Sequence, residues 1–416
     1  MLRELTPVQR RTFLASFLGW TLDAFDFFIV ILMLPKLSPV FNEPVKTIAF
    51  AVTLTLMFRP LGALIFGYLA DRFGRKTPLM IDIVLYSAIE FATAFSPNFT
   101  TFLVLRVLFG IAMGGEWGLG AALALESLPA RSRGLFSGIL QEGYALGYLF
   151  AAAAYALVFP HFGWRGMFVL GAVPALLVVY IRTSVPESEA WVANTHKRGN
   201  SMGDLFGSVA RQPMLYVYAI ALMAAFHFLS HGSQDLYPTF LQKQRGLSVE
   251  TTSIVTIVAN VGAIAGGVLF GALSQTWGRR RAIVTASLVG LLAIPLWVFS
   301  PSVALLAAGA FFVQFFVQGA WGVIPAHLNE LSPSEVRATF PGFTYQLGNL
   351  ISAGALQMEA AFATTFPLPA RGDQPAGDNY AVALSIIMAI VFCAVALLTA
   401  IGKERRDADF TALAGP

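Results

Sequence analysis

Charge is what this sequence has least of. Only 27 lysines and arginines and 23 aspartates and glutamates are spread through 416 residues, so that 12% are charged, where a soluble globular chain carries roughly a quarter. A soluble fold is excluded, because 56% of the residues are hydrophobic and too little polar surface remains to cover them. Cysteine is nearly absent as well: Cys393 stands alone, which rules out an intrachain disulfide, a cysteine metal cage and a redox pair. No nucleotide loop, metal-ligand cluster or nucleophile elbow occurs, and an enzyme is not expected. The net charge of +4 is scattered between apolar segments instead of being gathered on a face that grips nucleic acid.

Apolar runs are what the chain does have. At about 20 residues per crossing of a bilayer, the hydrophobic content suffices for roughly eleven or twelve helices. Windows bounded by charges and turn residues fall near 13–35, 47–70, 78–96, 101–125, 135–159 and 165–182, and again near 213–241, 250–274, 282–300, 302–326, 337–360 and 380–401. They predict an all-α membrane protein with twelve transmembrane helices. Strands are excluded because runs such as Leu146 to Val158 do not alternate as a barrel strand does. The first apolar stretch, from Phe13 to Pro35, has no small-residue cleavage site and reads as a span, not a removable leader.

Basic residues set the expected orientation. With the N-terminus inside, 19 of the 27 fall in cytoplasmic segments, among them Arg3, Arg72, Arg75, Lys76, Lys197, Arg198 and Arg279; Lys36, Lys46, Arg165, Lys243, Arg245 and Arg371 fall outside, and Arg59 and Arg106 lie within spans. Both termini are expected in the cytoplasm, and the short loops suggest a bacterial inner membrane.

The chain also repeats itself. Gly67, Asp71, Gly74 and Arg75 at the end of the second span recur 204 residues later as Gly271, Gln275, Gly278 and Arg279. At the same offset Glu126, Pro129 and Arg133 meet Glu330, Pro333 and Arg337, and Trp117-Gly118 meets Trp321-Gly322. Two related six-helix halves follow, 1–182 and 213–416, joined by a polar linker at 183–212. In such repeats the ligand site lies near the membrane midplane between the halves.

The segment Gly67-x-x-x-Asp71-Arg72-x-Gly74-Arg75-Lys76, its altered second copy and Arg106-x-x-x-Gly110 resemble the major facilitator superfamily of secondary transporters. The resemblance implies two pseudo-symmetric six-helix bundles and a gating role for Gly67, Asp71, Arg72, Gly74, Arg75, Arg106, Glu126 and Arg133. Gln275 and Thr276 replace the acidic and basic pair in the second copy, so the clasp is expected to be asymmetric. Physical chemistry agrees: glycines allow close packing, and Asp71 and the basic residues can pair with neighbouring helix ends.

The seventh span carries most of the substrate information. His227, Ser230, His231, Gln234 and Asp235 are spaced by three and four, which places them on one helical face where they can line a cavity together. The stretch is similar to the signature Asn-x-x-Ser/Thr-His-x-Ser/Thr-Gln-Asp-x-x-x-Thr of Jen-type lactate and pyruvate proton symporters, in the sialate symporter branch. Ser230, His231, Ser233, Gln234, Asp235 and Thr239 match it, while His227 stands where the signature has Asn.

A carboxylate in a low-dielectric cavity needs a fixed donor, and a guanidinium offers a planar fork. Arg59, about halfway along span two, is the candidate, with Asp23 and Asp26 in span one able to hold it; Tyr144 in span five joins the expected substrate site. Proton coupling needs a group whose charge changes. His231 with Asp235, Asp23, Asp26, Glu116 and Glu142 are the candidates, whereas Asp82 and Glu90 fall in a span expected to be peripheral and read as structural. Gln314 and Gln318, spaced by four, can also reach the cavity.

The expected function is a proton-coupled importer of small monocarboxylates working by rocker-switch alternating access. A symporter for a larger acid, sialate or aromatic, is the alternative within transport; drug antiport lacks its Gly-Pro kink in span five. A carboxylate sensor that transports nothing is the alternative outside transport, disfavoured by the 14-residue tail after Gly402. Expected partners are an organic acid anion, protons and the lipid bilayer, with no cofactor, no metal and no nucleic acid. One chain contains both halves of the cavity, so a monomer suffices.

Overall fold

A computed structural model describes residues 5–195, 202–368 and 377–410; Arg3, Lys197, Arg198 and Arg371 of the orientation argument lie outside them. Its helices form twelve rods: α1 (Pro7–Phe41), α2 (Val45–Phe73), α3 (Lys76–Thr93), α4 (Phe99–Ser127), α5 (Arg133–Gln141, then Gly143–Leu157), α6 (Phe159–Leu170, then Ala175–Ser184), α7 (Pro213–Gln244), α8 (Val249–Trp277), α9 (Arg279–Val298), α10 (Val303–Leu331), α11 (Thr339–Ser352, then Ala355–Thr365) and α12 (Tyr380–Ile401). Eight are long and apolar enough to cross a membrane alone, and α6, bent by 41°, makes a ninth. The others fall short for local reasons: α3 carries Lys76, Asp82 and Glu90, while α5 and α11 break at Glu142 and at Ala353-Gly354. Two short helices, Glu189–Thr195 and Met202–Arg211, lie between α6 and α7.

Leu5 and Phe410, the first and last described residues, pack in one cluster at one end of the assembly, here called the terminal end. At the far end four starts carry a local cap: Asn98 for α4, Ser248 for α8, Ser302 for α10 and Asn379 for α12 accept from backbone amides three residues on, and Gln244 adds a distant one at α12 by accepting from the Ala381 amide. This is ordinary N-capping, and it gives Asn98, which also opens an Asn-x-Thr sequon, a structural job. At the terminal end α1 has a local capping box of Thr6 and Gln9, but α3 and α9 are capped from afar. Glu187 accepts from the amides of Arg75 and Lys76 at 2.7 and 3.2 Å, and Glu404 from those of Arg279 and Arg280 at 3.1 and 2.9 Å. Each loop therefore needs an acid from more than a hundred residues away.

Within the first six rods α1 packs on α5 and α2 on α4; within the last six α8 packs on α10, α7 on α11 and α9 on α12. Between the two sets, α2 and the second part of α4 meet α11, and the first part of α5 meets α8. These crossings are glycine contacts. A Cβ on Gly118 would sit 2.7 Å from Gly342 Cα, and one on Gly67 equally close to Thr339 Cα. No other residue fits, which is how helices without a hydrophobic drive between them approach closely.

Candidate functional site

The far half of the interface opens into a cavity of about 210 Å³ built from α1, α5, α7, α8, α9 and α10. Its walls are aromatic (Phe28, Tyr144, Tyr148, Tyr237, Trp297) and amide-bearing (Gln141, Gln234, Asn260, Gln314, Gln318), and Glu142 is the one acidic or basic side chain among the described lining residues. Glu142 sits at the break of α5, where its carboxyl takes the room left by the missing side chain of Gly267. The amides are held in register: Gln314 donates to Ser233 Oγ at 3.0 Å and accepts from Gln234 Nε2 at 3.2 Å. Such a site offers donors and acceptors without a fixed cation.

The polar face of α7 is divided, not shared. The rod breaks at Asp235-Leu236 before continuing to Gln244, so Gln234 points into the cavity with Ser233. His231 and Asp235 form a separate pair, Nδ1 to Oδ2 at 3.0 Å, with side chains 30% and 31% exposed. Ser230 is half-buried and its carbonyl accepts from the Ser233 hydroxyl. His227 lies deeper: its Nδ1 bonds the Met223 carbonyl at 2.8 Å, a contact that assigns that nitrogen the proton, and its buried Nε2 has no partner. The imidazole packs edge-on against Tyr345 and Trp321, with centroids 4.6 and 5.1 Å away. Tyr345 in turn stacks on Trp117 at 4.1 Å and meets Trp20. Together these rings floor the interface, and the indole nitrogens of the repeat-related Trp117 and Trp321 are both buried without a partner.

In the first six rods Arg59 pairs with Asp23 at 3.2 Å, both buried, while both carboxyl oxygens of Asp26 are buried and unpaired. Glu116, also without a hydrogen-bond partner, occupies the space beside Gly19. Arg106 lies apart, bonded to Glu90 and Thr93 at 2.6 Å and 4.4 Å above the Phe109 ring. Asp23, Asp26, Asp82, Glu90 and Glu116 thus lie buried in the same bundle as the buried guanidiniums of Arg59 and Arg106, away from the terminal-end cluster of Asp71, Arg75, Glu126 and Arg133.

The terminal end is closed by contacts that obey the repeat. Arg75 grips Glu126 bidentately at 2.8 and 3.2 Å, and its counterpart Arg279 grips Glu330 at 2.8 and 2.9 Å. Burial alone lowers the Arg75 pKa, but Glu126 and then Asp71 outweigh it and hold the guanidinium above its ordinary value. Asp71 crosses between the bundles, accepting from the amides of Ala338 and Thr339 at 3.0 and 3.1 Å and from the Thr339 hydroxyl at 2.7 Å. Gln275 does the same in reverse, accepting from the Gly134 amide at 3.0 Å. Each caps the first turn of a helix in the opposite bundle. Ser137 adds bonds to the Gly322 carbonyl and the Ala326 amide. Gly74 and Gly278 have φ of 95° and 97°, a conformation essentially reserved for glycine. Arg72 is exposed, donating to the Tyr68 hydroxyl and lying over the Phe73 ring, while Arg133 donates to the carbonyls of Leu125 and Ala408.

Sequence reasoning missed Asn260 and Gln141 in the cavity, Tyr345 in its floor, and the capping acids Glu187 and Glu404. Asn260, a polar residue inside an apolar window, was the readable signal; the two acids had none.

Known proteins fit this architecture. The carboxylic acid transporter protein homolog of Saccharomyces cerevisiae is 30% identical over 99% of this chain and 70% of its own length. The sialic acid transporter NanX of Escherichia coli K12 is 27% identical over 83% of this chain and 85% of its own. The structure of the proton:xylose symporter XylE bound to 6-bromo-6-deoxy-D-glucose superposes with a TM-score of 0.75 at 19% identity, covering 97% of this chain and 98% of that one. The model of the Major Facilitator Superfamily matches residues 16–356. The chain therefore belongs to the Major Facilitator Superfamily: it is a multi-pass membrane transporter and not an enzyme.

Proposed function

We propose that the protein is a proton-coupled symporter importing small monocarboxylates such as lactate or pyruvate, with the terminal end in the cytoplasm and the bundles 1–182 and 213–416 rocking about the cavity. The signature-like segment from Ser230 to Thr239 and the relatives, a carboxylic acid transporter homolog and a sialic acid transporter, support an organic acid. Cavity size favours a small one, since about 210 Å³ is below the roughly 300–1,000 Å³ of drug-sized ligand pockets. A larger acid is the second reading, favoured by the sialic acid relative.

The observation that carries the coupling is that Glu142 is the one acidic or basic side chain among the described residues that line the cavity. An anion and an ionised carboxylate repel strongly in such surroundings. A substrate anion therefore enters stably only when Glu142 holds a proton, which ties the two together without a covalent step. His231 with Asp235 and the acids around Arg59 are the further proton-carrying groups of this reading, and the Arg59 guanidinium the group that attracts the anion as it passes.

Uptake of labelled L-lactate into proteoliposomes tests it. Accumulation driven by an inward proton gradient, collapsed by a protonophore and lost in Glu142→Gln, His231→Ala and Arg59→Ala, is the expected result. Transport of a larger acid, with no uptake of or competition by lactate and pyruvate, would refute the substrate; uptake in Glu142→Gln that remains gradient-driven at the parent's rate would be the outcome that supports coupling elsewhere.

A further inference from the structure

After α12 the chain turns back along the terminal face. Asp407 adopts φ 64°, a left-handed turn that Asp and Asn tolerate better than most side chains. Before the turn Arg406 donates to the Thr276 carbonyl at 2.8 Å. At the turn Asp407 Oδ1 accepts from Gln275 Nε2 at 2.8 Å. Beyond it the Ala408 carbonyl accepts from Arg133 Nη1 and the Phe410 carbonyl from Arg337 Nη1, both at 2.6 Å. The Phe410 ring, 2% exposed, lies 3.6 Å from the Arg133 guanidinium carbon and 4.7 Å from that of Arg337. It completes a small apolar cluster with Leu5, Leu125, Leu128, Phe136 and Ala190.

Arg133 and Arg337 are repeat counterparts in opposite bundles, so closing this end brings two like charges together. Glu330 and Asp407 near Arg133 and Glu126 near Arg337 supply compensating charge, and a ring face with two carbonyl oxygens between the two guanidiniums adds partial negative charge where they come closest. Phe410 can hold both arginines only while the bundles touch. Once the terminal end opens they separate, and one grip is lost.

Gln275 explains itself in the same terms. The first repeat has Asp71 at this position, and a carboxylate would serve equally well for the Gly134 amide and for Arg279, which donates to Gln275 Oε1 at 3.1 Å. Only an amide can also donate, and what it donates to is Asp407. A carboxylate there would face another carboxylate.

We propose that the segment Arg405–Phe410 is a latch that docks across both bundles in the closed state of the terminal end, biases the transporter toward that state, and accounts for glutamine at position 275. The proposal rests on alternate opening of the two ends, a property of the family, and not on the substrate.

Spin labels on Phe73→Cys and Trp277→Cys test it in a Cys393→Ser background of the full chain. These are the repeat-related last residues of α2 and α8, 56% and 45% exposed, and their separation grows when the terminal end opens. Pulsed-dipolar distance distributions in nanodiscs need no substrate, so a wrong substrate assignment leaves the result intact. Phe410→Ala and Gln275→Glu are each expected to raise the ratio of long to short distances about tenfold or more. The pair Gln275→Glu with Asp407→Asn restores one donor facing one acceptor and is expected to return the distribution to the parent's. Unchanged distributions in both single variants would overturn the latch. Failure of the pair to rescue Gln275→Glu would overturn the account of position 275. Should Phe410→Ala not fold, the Gln275 and Asp407 variants, which alter only polar groups, decide the matter alone.

Discussion

Asp71 offers the sharpest test of how the terminal end is held. Its carboxylate accepts four hydrogen bonds, one from Arg75 within its own bundle and three from Ala338 and Thr339 in the other. A hydrogen bond to a charged group contributes roughly 1.5–3 kcal/mol net, and a carboxylate at a helix N-terminus gains about 0.3–1 kcal/mol more. Bonds that share one acceptor do not add, so about 3 kcal/mol is a fair value for what Asp71→Ala removes from closure. At about 1.4 kcal/mol per factor of ten, that is roughly a hundredfold shift. A transporter preferring this state by about tenfold would then prefer the opposite state by about tenfold. The readout is a thiol placed at Thr256, which lines the cavity on α8, in a Cys393→Ser background. Labelling by a membrane-impermeant maleimide from the cavity's open side should fall about tenfold in Asp71→Ala, with Asp71→Asn intermediate because one amide oxygen can still cap. An unchanged rate in a variant that remains folded would refute the capping argument.

Two further outcomes follow from the same geometry. Gly74→Ala and Gly278→Ala impose the same backbone strain, of order 1–3 kcal/mol, but only at Gly74 does the new methyl land on a capping carboxylate, that of Glu187; at Gly278 it stays 3.2 Å from Glu404. The detergent melting midpoint should therefore drop further for Gly74→Ala, and equal drops would contradict the clash. For the buried pair on α1 and α2, Arg59→Gln alone leaves Asp23 without its cation at a cost of about 3–5 kcal/mol. Adding Asp23→Asn should recover most of the lost melting temperature while leaving transport impaired; recovery of transport as well would reduce Arg59 to a structural partner.

Much of this was readable beforehand because it is periodic or repeated. Twelve apolar windows correspond to twelve rods, and the offset of 204 reappears as paired three-dimensional contacts, Arg75 with Glu126 and Arg279 with Glu330. Polar residues in apolar runs pointed to Gln234 and Gln314. What stayed hidden depended on chain reversals. Helical spacing alone puts His227, His231 and Gln234 on one face, but the break in α7 and the packing of α11 separate them into floor, side pair and cavity wall. Glu187 and Glu404 sit in polar connectors where any acid looks like solvent-facing charge, and nothing local reveals that each completes a helix start across the fold. The unequal pair Asp71 and Gln275 was visible as a difference; its cause was not, because it lies 132 residues away at Asp407.

The ring floor beneath the cavity has an electrical consequence. Trp20, Trp117, Trp321, Tyr345 and His227 fill the interface with side chains that are 7% exposed or less, and below them the bundles meet at glycine crossings where even a Cβ would sit 2.7 Å from the facing backbone. The floor is thus an insulator in series with whichever gate is open. Charge carried down a membrane potential releases about 2.3 kcal/mol per elementary charge per 100 mV, and a wet thread through the interface would dissipate that energy as leak current. In the proton-coupled reading proposed above, this dense aromatic packing would tie each proton's passage to the rocking of the bundles, so that the gradient does work on the solute instead of short-circuiting.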